Sequence, residues 1–326
     1  MSSSSLFYPA AAVGLTVIGL VALRRYSAGG VCRSKKKLDG KTVIITGANT
    51  GIGLETTIDL ACRNARVVMA CRSEERGRRA CTEAKQRSNS NNIVFYQLDL
   101  ADLESVRRFA AEVLKHEPRI DILLNNAGLM MCPYSKTKDG FETQFGVNHL
   151  GHFLLTHLLL ERIKECAPAR IINVSSFLYA YGNINFDDLM SEKSYSDFGA
   201  YAQSKLANIL FTRVLADRLE GTDVTTYSLH PGSVNSELNR HLTSSLLTRI
   251  AYYLVYPFYW LTSKTTWEGA QTNIYCAVSE DLEGVSGRYY KDCAEAKLLP
   301  LARDDAVAKK LWDVSEKLIG LSGRDE

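Results

Sequence analysis

From Gly40 onward, short runs of β-branched and apolar residues alternate with longer segments whose apolar positions recur at the helical period. A strand that reads as a continuous apolar run, with no polar face, belongs to a sheet covered on both sides. The pattern therefore predicts a parallel sheet between two layers of helix, with strands at Thr42 to Thr46, Arg66 to Cys71, Ile93 to Asp99, Ile120 to Asn125, Arg170 to Ser175 and Val224 to His230. That is an α/β fold, a doubly wound parallel sheet, in a single domain over residues 41–326. No internal repeat or low-complexity tract divides it, and a second domain has no room.

The first forty residues have a different character. Leu6 to Leu23 is an uncharged apolar run of 18 residues, which as a helix spans about 27 Å, close to the thickness of a bilayer core. Serines precede it, and Arg24, Arg25, Arg33, Lys35, Lys36 and Lys37 follow, so the positive-inside bias leaves the main domain cytosolic. Residues 1–26 are thus expected to be a single-pass membrane anchor and residues 27–40 a basic linker. A cleavable signal peptide competes with this reading, but it lacks a basic region before the apolar run. A mitochondrial presequence is disfavoured by uniform apolarity and the absence of early arginines. The expected location is the endoplasmic reticulum membrane, with a mitochondrial membrane as the alternative.

Composition narrows the function. The net charge of +3 over 326 residues, with basic residues scattered outside the linker, gives no footprint for nucleic acid or a polyanion. Eight cysteines without a CxxC pair suit reduced thiols, several of them small buried hydrophobes.

The first predicted strand runs into Thr46-Gly47-Ala48-Asn49-Thr50-Gly51-Ile52-Gly53 and a helix beginning Leu54-Glu55. Three glycines at a strand-to-helix turn suit a pyrophosphate: Gly47 permits the tight turn, Gly51 lets backbone approach the phosphates, and Gly53 lets helix and strand pack closely. An incidental glycine turn is the bland alternative; the following strand, which completes the unit, argues against it. That strand ends Ala70-Cys71-Arg72-Ser73, where an NAD site usually carries a carboxylate. A guanidinium there can pair with a 2′-phosphate, which favours NADP, although Arg72 is also readable as a solvated charge. Glu74 and Glu75 fit the first turn of the next helix. Asp99 is placed either to accept hydrogen bonds near an adenine or to cap the helix starting near Leu103.

Tyr201 and Lys205 are four residues apart, one turn along one face of a helix. An ammonium so placed lowers a phenol's pKa, and hydride transfer at neutral pH needs a group that gives or takes the hydroxyl proton. Tyr-x-x-x-Lys alone is common on solvated helix faces. Upstream, Ile172-Asn173-Val174-Ser175-Ser176 ends a predicted strand in hydroxyls at the sheet edge where such folds bind ligands. Asn125-Asn126-Ala127-Gly128 and the Asn148 segment Phe145 to His152 complete the set.

In this order and combination the motifs resemble the short-chain dehydrogenase/reductase family, with its Rossmann-type fold, from about Gly40 to Leu321. The resemblance implies that Ser176 orients the substrate oxygen, Tyr201 transfers the proton, Lys205 binds the nicotinamide ribose and tunes Tyr201, and Asn148 supports a water-mediated relay. It places NADP(H) against Gly47, Asn49, Thr50, Gly51, Ile52 and Gly53, against Arg72, Asp99 and Leu100, and against Asn126, Ala127 and Gly128. Tyr201, Lys205, Pro231, Gly232 and Val234 close the nicotinamide end. Ser236 stands where members often carry Thr, and Asn64 replaces the usual glycine after the first helix, a residue that tolerates a left-handed position.

Closer similarity is to the anchored, NADP-preferring retinol dehydrogenases. It is carried by Ala28 to Cys32, Met130 to Thr137, Glu142 to His152 and a long segment between Ser176 and Tyr201. Phe177 to Tyr181 departs from the His-containing version of that group. The implied activity is interconversion of retinol and retinaldehyde, in the direction of all-trans-retinal reduction. Alternatives are the same chemistry on a steroid or a lipid-derived aldehyde, a catalytically silent NADP-binding scaffold, and a methyltransferase, which would not need the Tyr and Lys. The aromatic run Leu246 to Leu261 suits either an apolar substrate or membrane packing, His149 and His152 are assigned to helix packing with no metal expected, and an oligomer is compatible with the chain.

Overall fold

A computed structural model of the chain describes residues 18–235 and 259–321. Helix α1 (residues 18–28) leads through an extended segment to β1 (Thr42–Thr46) and α2 (Gly51–Cys62). There follow β2 (Arg66–Cys71), α3 (Glu74–Ser88), β3 (Ile93–Gln97), α4 (Leu103–His116) and β4 (Ile122–Asn125). A short helix α5 (Thr143–Phe145) and a π-helical turn (Gly146–Leu150) enter α6 (Gly151–Glu165), followed by β5 (Ala169–Val174), α7 (Asp197–Arg218) and β6 (Val224–His230). The last part holds α8 (Thr266–Val278), β7 (Arg288–Lys291), β8 (Ala294–Glu295) and α9 (Asp305–Leu318).

The strands form one sheet in the order β3-β2-β1-β4-β5-β6-β7-β8, parallel throughout except for the last pair. From β1 the chain winds out to β2 and β3, then crosses back to β4, so the order reverses between β1 and β4 and the carboxyl ends part there to leave a crevice. Alternating strand residues feed two cores: Ile44 belongs to the one built with α4, α6, α7 and α9, and Val43 and Ile45 to the one built with α2, α3 and α8. Both faces are therefore covered, as the unbroken apolar runs require.

Several boundaries differ from those read in the sequence. The third strand stops at Gln97 because the Asp99 carboxylate turns the chain by accepting from Ala101 N, and Asp102, not Asp99, caps α4. The fourth strand starts at Ile122 and the fifth runs from Ala169 to Val174. β7 and β8 were not read at all, being too short for a periodic signal. α2 starts at Gly51 rather than Leu54, so the last two glycines lie within its first turn, where backbone N–H groups lack helical partners. Asn64 takes the expected left-handed conformation, φ 73°.

Most of the apolar run Leu6 to Leu23 and the run Leu246 to Leu261 lie outside the described residues. Among the described residues no helix is long and apolar enough to cross a membrane. The segment after α1 is packed against the domain: Arg24 bonds both carboxylate oxygens of Glu268 at 2.6 and 2.7 Å, Cys32 N donates to Gln271, and Arg63 donates to the carbonyls of Ser34 and Lys36.

Candidate active site

A cleft of about 530 Å³ opens along the carboxyl ends of the strands. Its floor is the turn after β1. Gly47 and Gly51 take φ values of +65° and +59°, which L side chains rarely adopt, and a Cβ on Gly47 would stand 2.8 Å from the Ala127 backbone. Gly53 does not line the cleft; a Cβ there would meet the Gly47 carbonyl at 2.4 Å, so its smallness lets α2 pack onto the turn. Gly47, Asn49, Thr50, Gly51 and Ile52 border the cleft together with Asn126, Ala127 and Gly128. With unpartnered helical N–H groups, this floor fits the pyrophosphate of a dinucleotide.

Thr46 ties the two sides of the crevice together. Its hydroxyl oxygen accepts from the backbone N–H of Asn126 and of Ala127, both at 2.9 Å. The Asn126 amide donates to the Thr46 carbonyl and accepts from Asn273, so its side chain is spent on structure. With both lone pairs of the Thr46 hydroxyl taken, its proton goes to His152 Nε2 at 2.8 Å. His152 must then carry its own proton on Nδ1, which donates to the Asn148 carbonyl at 3.1 Å. Burial pushes the imidazole pKa down to about 4, which keeps it neutral. His149 is also buried, ringed by Phe145, Phe153 and Phe211 and bonded to Ser315.

At one end of the cleft lie Arg72, Ser73 and Arg76, with Asp99 and Leu100 alongside. Ser73 caps α3, and Glu74 and Glu75 fall in its first turn as read from the sequence. Arg76 was missed; its place in the first turn of the helix that opens at the end of the second strand is the signal that could have found it. Among the described lining residues Asp99 is the one carboxylate, and the Arg72 guanidinium at the end of β2 fits a 2′-phosphate.

At the other end, Tyr201 and Lys205 stand on α7, each 3% exposed, against Ser176 at the end of β5. Burial pushes the Tyr201 phenol up to about 12, opposed by its hydrogen bond with Ser176. Burial also pushes the Lys205 ammonium down to about 8. Lys205 does not offset the rise of the phenol: Nζ lies 5.6 Å from the ring centroid and donates to the Val174 carbonyl at 3.1 Å. The Ser175 hydroxyl donates to the Lys205 carbonyl and locks α7 to β5.

Asn148 does not line the cleft. It is fully buried in the π-helical turn, its amide donating to the Leu129 carbonyl and the Ser204 hydroxyl and accepting from Leu129 N. A Cβ on Gly128 would stand 3.3 Å from the Asn148 amide oxygen and 3.4 Å from Lys205 Nζ, so the two residues flank Gly128. Pro231, Gly232 and Val234 line the far wall. His230, also missed, lies beside them; its Nδ1 is buried without a hydrogen-bond partner and its ring packs edge-on against Phe177. Leu129, Met130, Met131, Val147, Leu178 and Tyr259 make this end apolar.

Residues 41–246 match the short chain dehydrogenase family. The chain belongs to that family. Retinol dehydrogenase 12 of Homo sapiens is 54% identical over 299 residues, 92% of each chain. Retinol dehydrogenase 14 of Mus musculus is 54% identical over 294 residues, 87% of each chain. Among solved structures, an uncharacterised protein from Mycobacterium paratuberculosis is 34% identical with a TM-score of 0.70, covering 90% of this chain and 98% of its own. This short-chain dehydrogenase is therefore an oxidoreductase, and the cleft is where a nicotinamide cofactor fits.

Proposed function

We propose that the protein is an NADP(H)-dependent retinol dehydrogenase that reduces all-trans-retinal, held at the cytosolic face of the endoplasmic reticulum membrane by residues 1–26, with residues 27–40 leading to the domain at 41–326. The observation that carries the reading is the Ser176, Tyr201 and Lys205 cluster sharing one cleft with Arg72 and Arg76. Similarity to chains named retinol dehydrogenase supports the substrate.

When bound, the cofactor supplies or accepts a hydride. Gly47, Asn49, Thr50, Gly51 and Ile52 hold its pyrophosphate, Arg72, Ser73 and Arg76 its 2′-phosphate, and Asp99 and Leu100 its adenine end. Ala127, Gly128, Pro231, Gly232 and Val234 enclose its nicotinamide end, and Lys205 binds the ribose. Ser176 holds the substrate carbonyl oxygen, and Tyr201 gives it the phenolic proton. Burial holds the Tyr201 phenol up to about 12, so at neutral pH it carries the proton that it gives. Asn148, its amide committed, supports a water-mediated proton relay by positioning Leu129 and Ser204 beside the site. The apolar end formed by Met130, Met131, Phe177 and Tyr259 suits a polyene chain better than a charged substrate.

The test is cofactor oxidation by the full chain in lipid nanodiscs, with all-trans-retinal, a steroid ketone and a medium-chain aldehyde, each with NADPH and with NADH. Preferential turnover of retinal with NADPH is expected. Turnover confined to another carbonyl would discard the retinoid, and equal rates with NADH would discard the NADP assignment.

A further inference from the structure

The apolar run that ends at Leu23 meets the domain at a defined place. Arg24, the next residue, is clamped by Glu268 in the first turn of α8, and Gly30 is pressed so closely against Asp292 that a Cβ would fall 2.0 Å from its carbonyl oxygen. The exit of α1 is therefore fixed relative to α8.

The segments that meet there, α1 and the approach to α8 with its first turn, carry three aromatic side chains that the fold does not bury. Tyr26, two residues past Arg24, is 85% exposed, Trp267, next to Glu268, is 50% exposed, and Trp260, five residues before the Thr265 cap of α8, is 60% exposed. The third tryptophan, Trp312, is 3% exposed in the core, so exposure is not general to tryptophan in this chain. Arg25, Arg33 and Lys35 are exposed nearby in sequence. Tryptophan and tyrosine with basic residues at the end of an apolar helix match the chemistry of the headgroup layer, which takes amphipathic rings and attracts cations. Tyr259, adjacent to Trp260, lines the apolar end of the cleft.

We propose that Trp260 and Trp267 seat this edge of the domain in the headgroup layer of the bilayer, so that the Tyr259 side of the cleft opens toward the lipid. The inference rests on the anchor reading of Leu6 to Leu23. It means that an apolar substrate dissolved in the membrane reaches Tyr201 without crossing water.

The full chain is reconstituted into phosphatidylcholine vesicles containing phosphatidylserine, with acyl chains brominated either near the headgroup or deep in the core. Tryptophan emission is then read after flotation. Strong quenching by shallow bromines and weak quenching by deep ones is expected, and it is lost in the Trp260→Phe/Trp267→Phe double variant, which keeps only Trp312. The double variant also shows a several-fold higher KM for retinal supplied in vesicles, with KM in detergent unchanged. Protein that floats with the vesicles but is quenched by neither lipid overturns the proposal and leaves the anchor standing. A concentration-dependent blue shift without quenching overturns it in favour of a protein contact, and protein that does not float overturns the anchor reading and this proposal together.

Discussion

Lys205 is a stability liability, buried on α7 beside Tyr201. Its ammonium is buried and held at about 8, below its ordinary 10.5. Between those values the unfolded chain binds the proton that the native chain refuses, so this group's contribution makes stability rise with pH from about 8 toward 10.5. Tyr201 acts oppositely: above its ordinary 10 the unfolded phenol ionises while the native one, held near 12, does not, so stability falls. Lys205→Met should therefore raise stability near pH 7, by at most about 3 kcal/mol for a shift of that size, while activity is lost. Removing the ammonium orphans nothing, because the Val174 carbonyl keeps Asn208 as a donor. Thermal unfolding checks it; a lower Tm at pH 7 would contradict it. Arg72→Asp should weaken NADPH about tenfold or more relative to NADH, from loss of charge-assisted bonds of about 1.5–3 kcal/mol. Titration of both cofactors reads this, and equal weakening would contradict it. At this scale the sequence made Tyr201, Lys205 and Arg72 legible through spacing and the strand end. It did not make burial legible, which is why the sign of the Tyr201 shift was misjudged, and it gave no motif for Arg76 or His230.

The π-helical turn and β1 are joined through His152, an element-level link that sequence periodicity hides. His152 read only as a packing residue, since a buried imidazole on an apolar helix shows its partners only once β1 and the turn are docked. His152→Leu leaves the Thr46 hydroxyl with the Leu124 carbonyl at 3.5 Å as its remaining acceptor, and should cost about 1–3 kcal/mol. Combined with Thr46→Val the loss should be less than additive, because both variants break the same bond. Urea unfolding of the four proteins of the cycle checks it, and strict additivity would mean that the bond carries no energy. The six major strands were legible as short runs rich in β-branched and apolar residues, five of them buried along nearly their whole length and β3, at the sheet edge, only in part. β7 and β8 were not, since a four-residue and a two-residue strand carry no period, and their places are set by pairing of β7 with β6 and of β8 with β7.

For the whole molecule, one reversal of strand order decides where everything sits. The phosphate turn after β1, the Asn126 to Gly128 edge after β4, Ser176 after β5 and the Pro231-Gly232 wall after β6 come from distant parts of the sequence, and the sheet order brings their carboxyl ends to one cleft. The alternation of strands and helices was enough to foresee this. The docking of residues 29–38 on α8 and the β7–β8 hairpin was not, because a Gly- and Lys-rich segment reads as free linker until its partners are known. In the proposed reaction Tyr201 hands a proton to a retinoid carbonyl in this cleft. Its most direct test is the rate of all-trans-retinal reduction with NADPH by the membrane-reconstituted protein beside Tyr201→Phe. A fall of about 100-fold or more with NADPH affinity retained is the predicted result, and a variant that still reduces retinal at near the parent rate would contradict it.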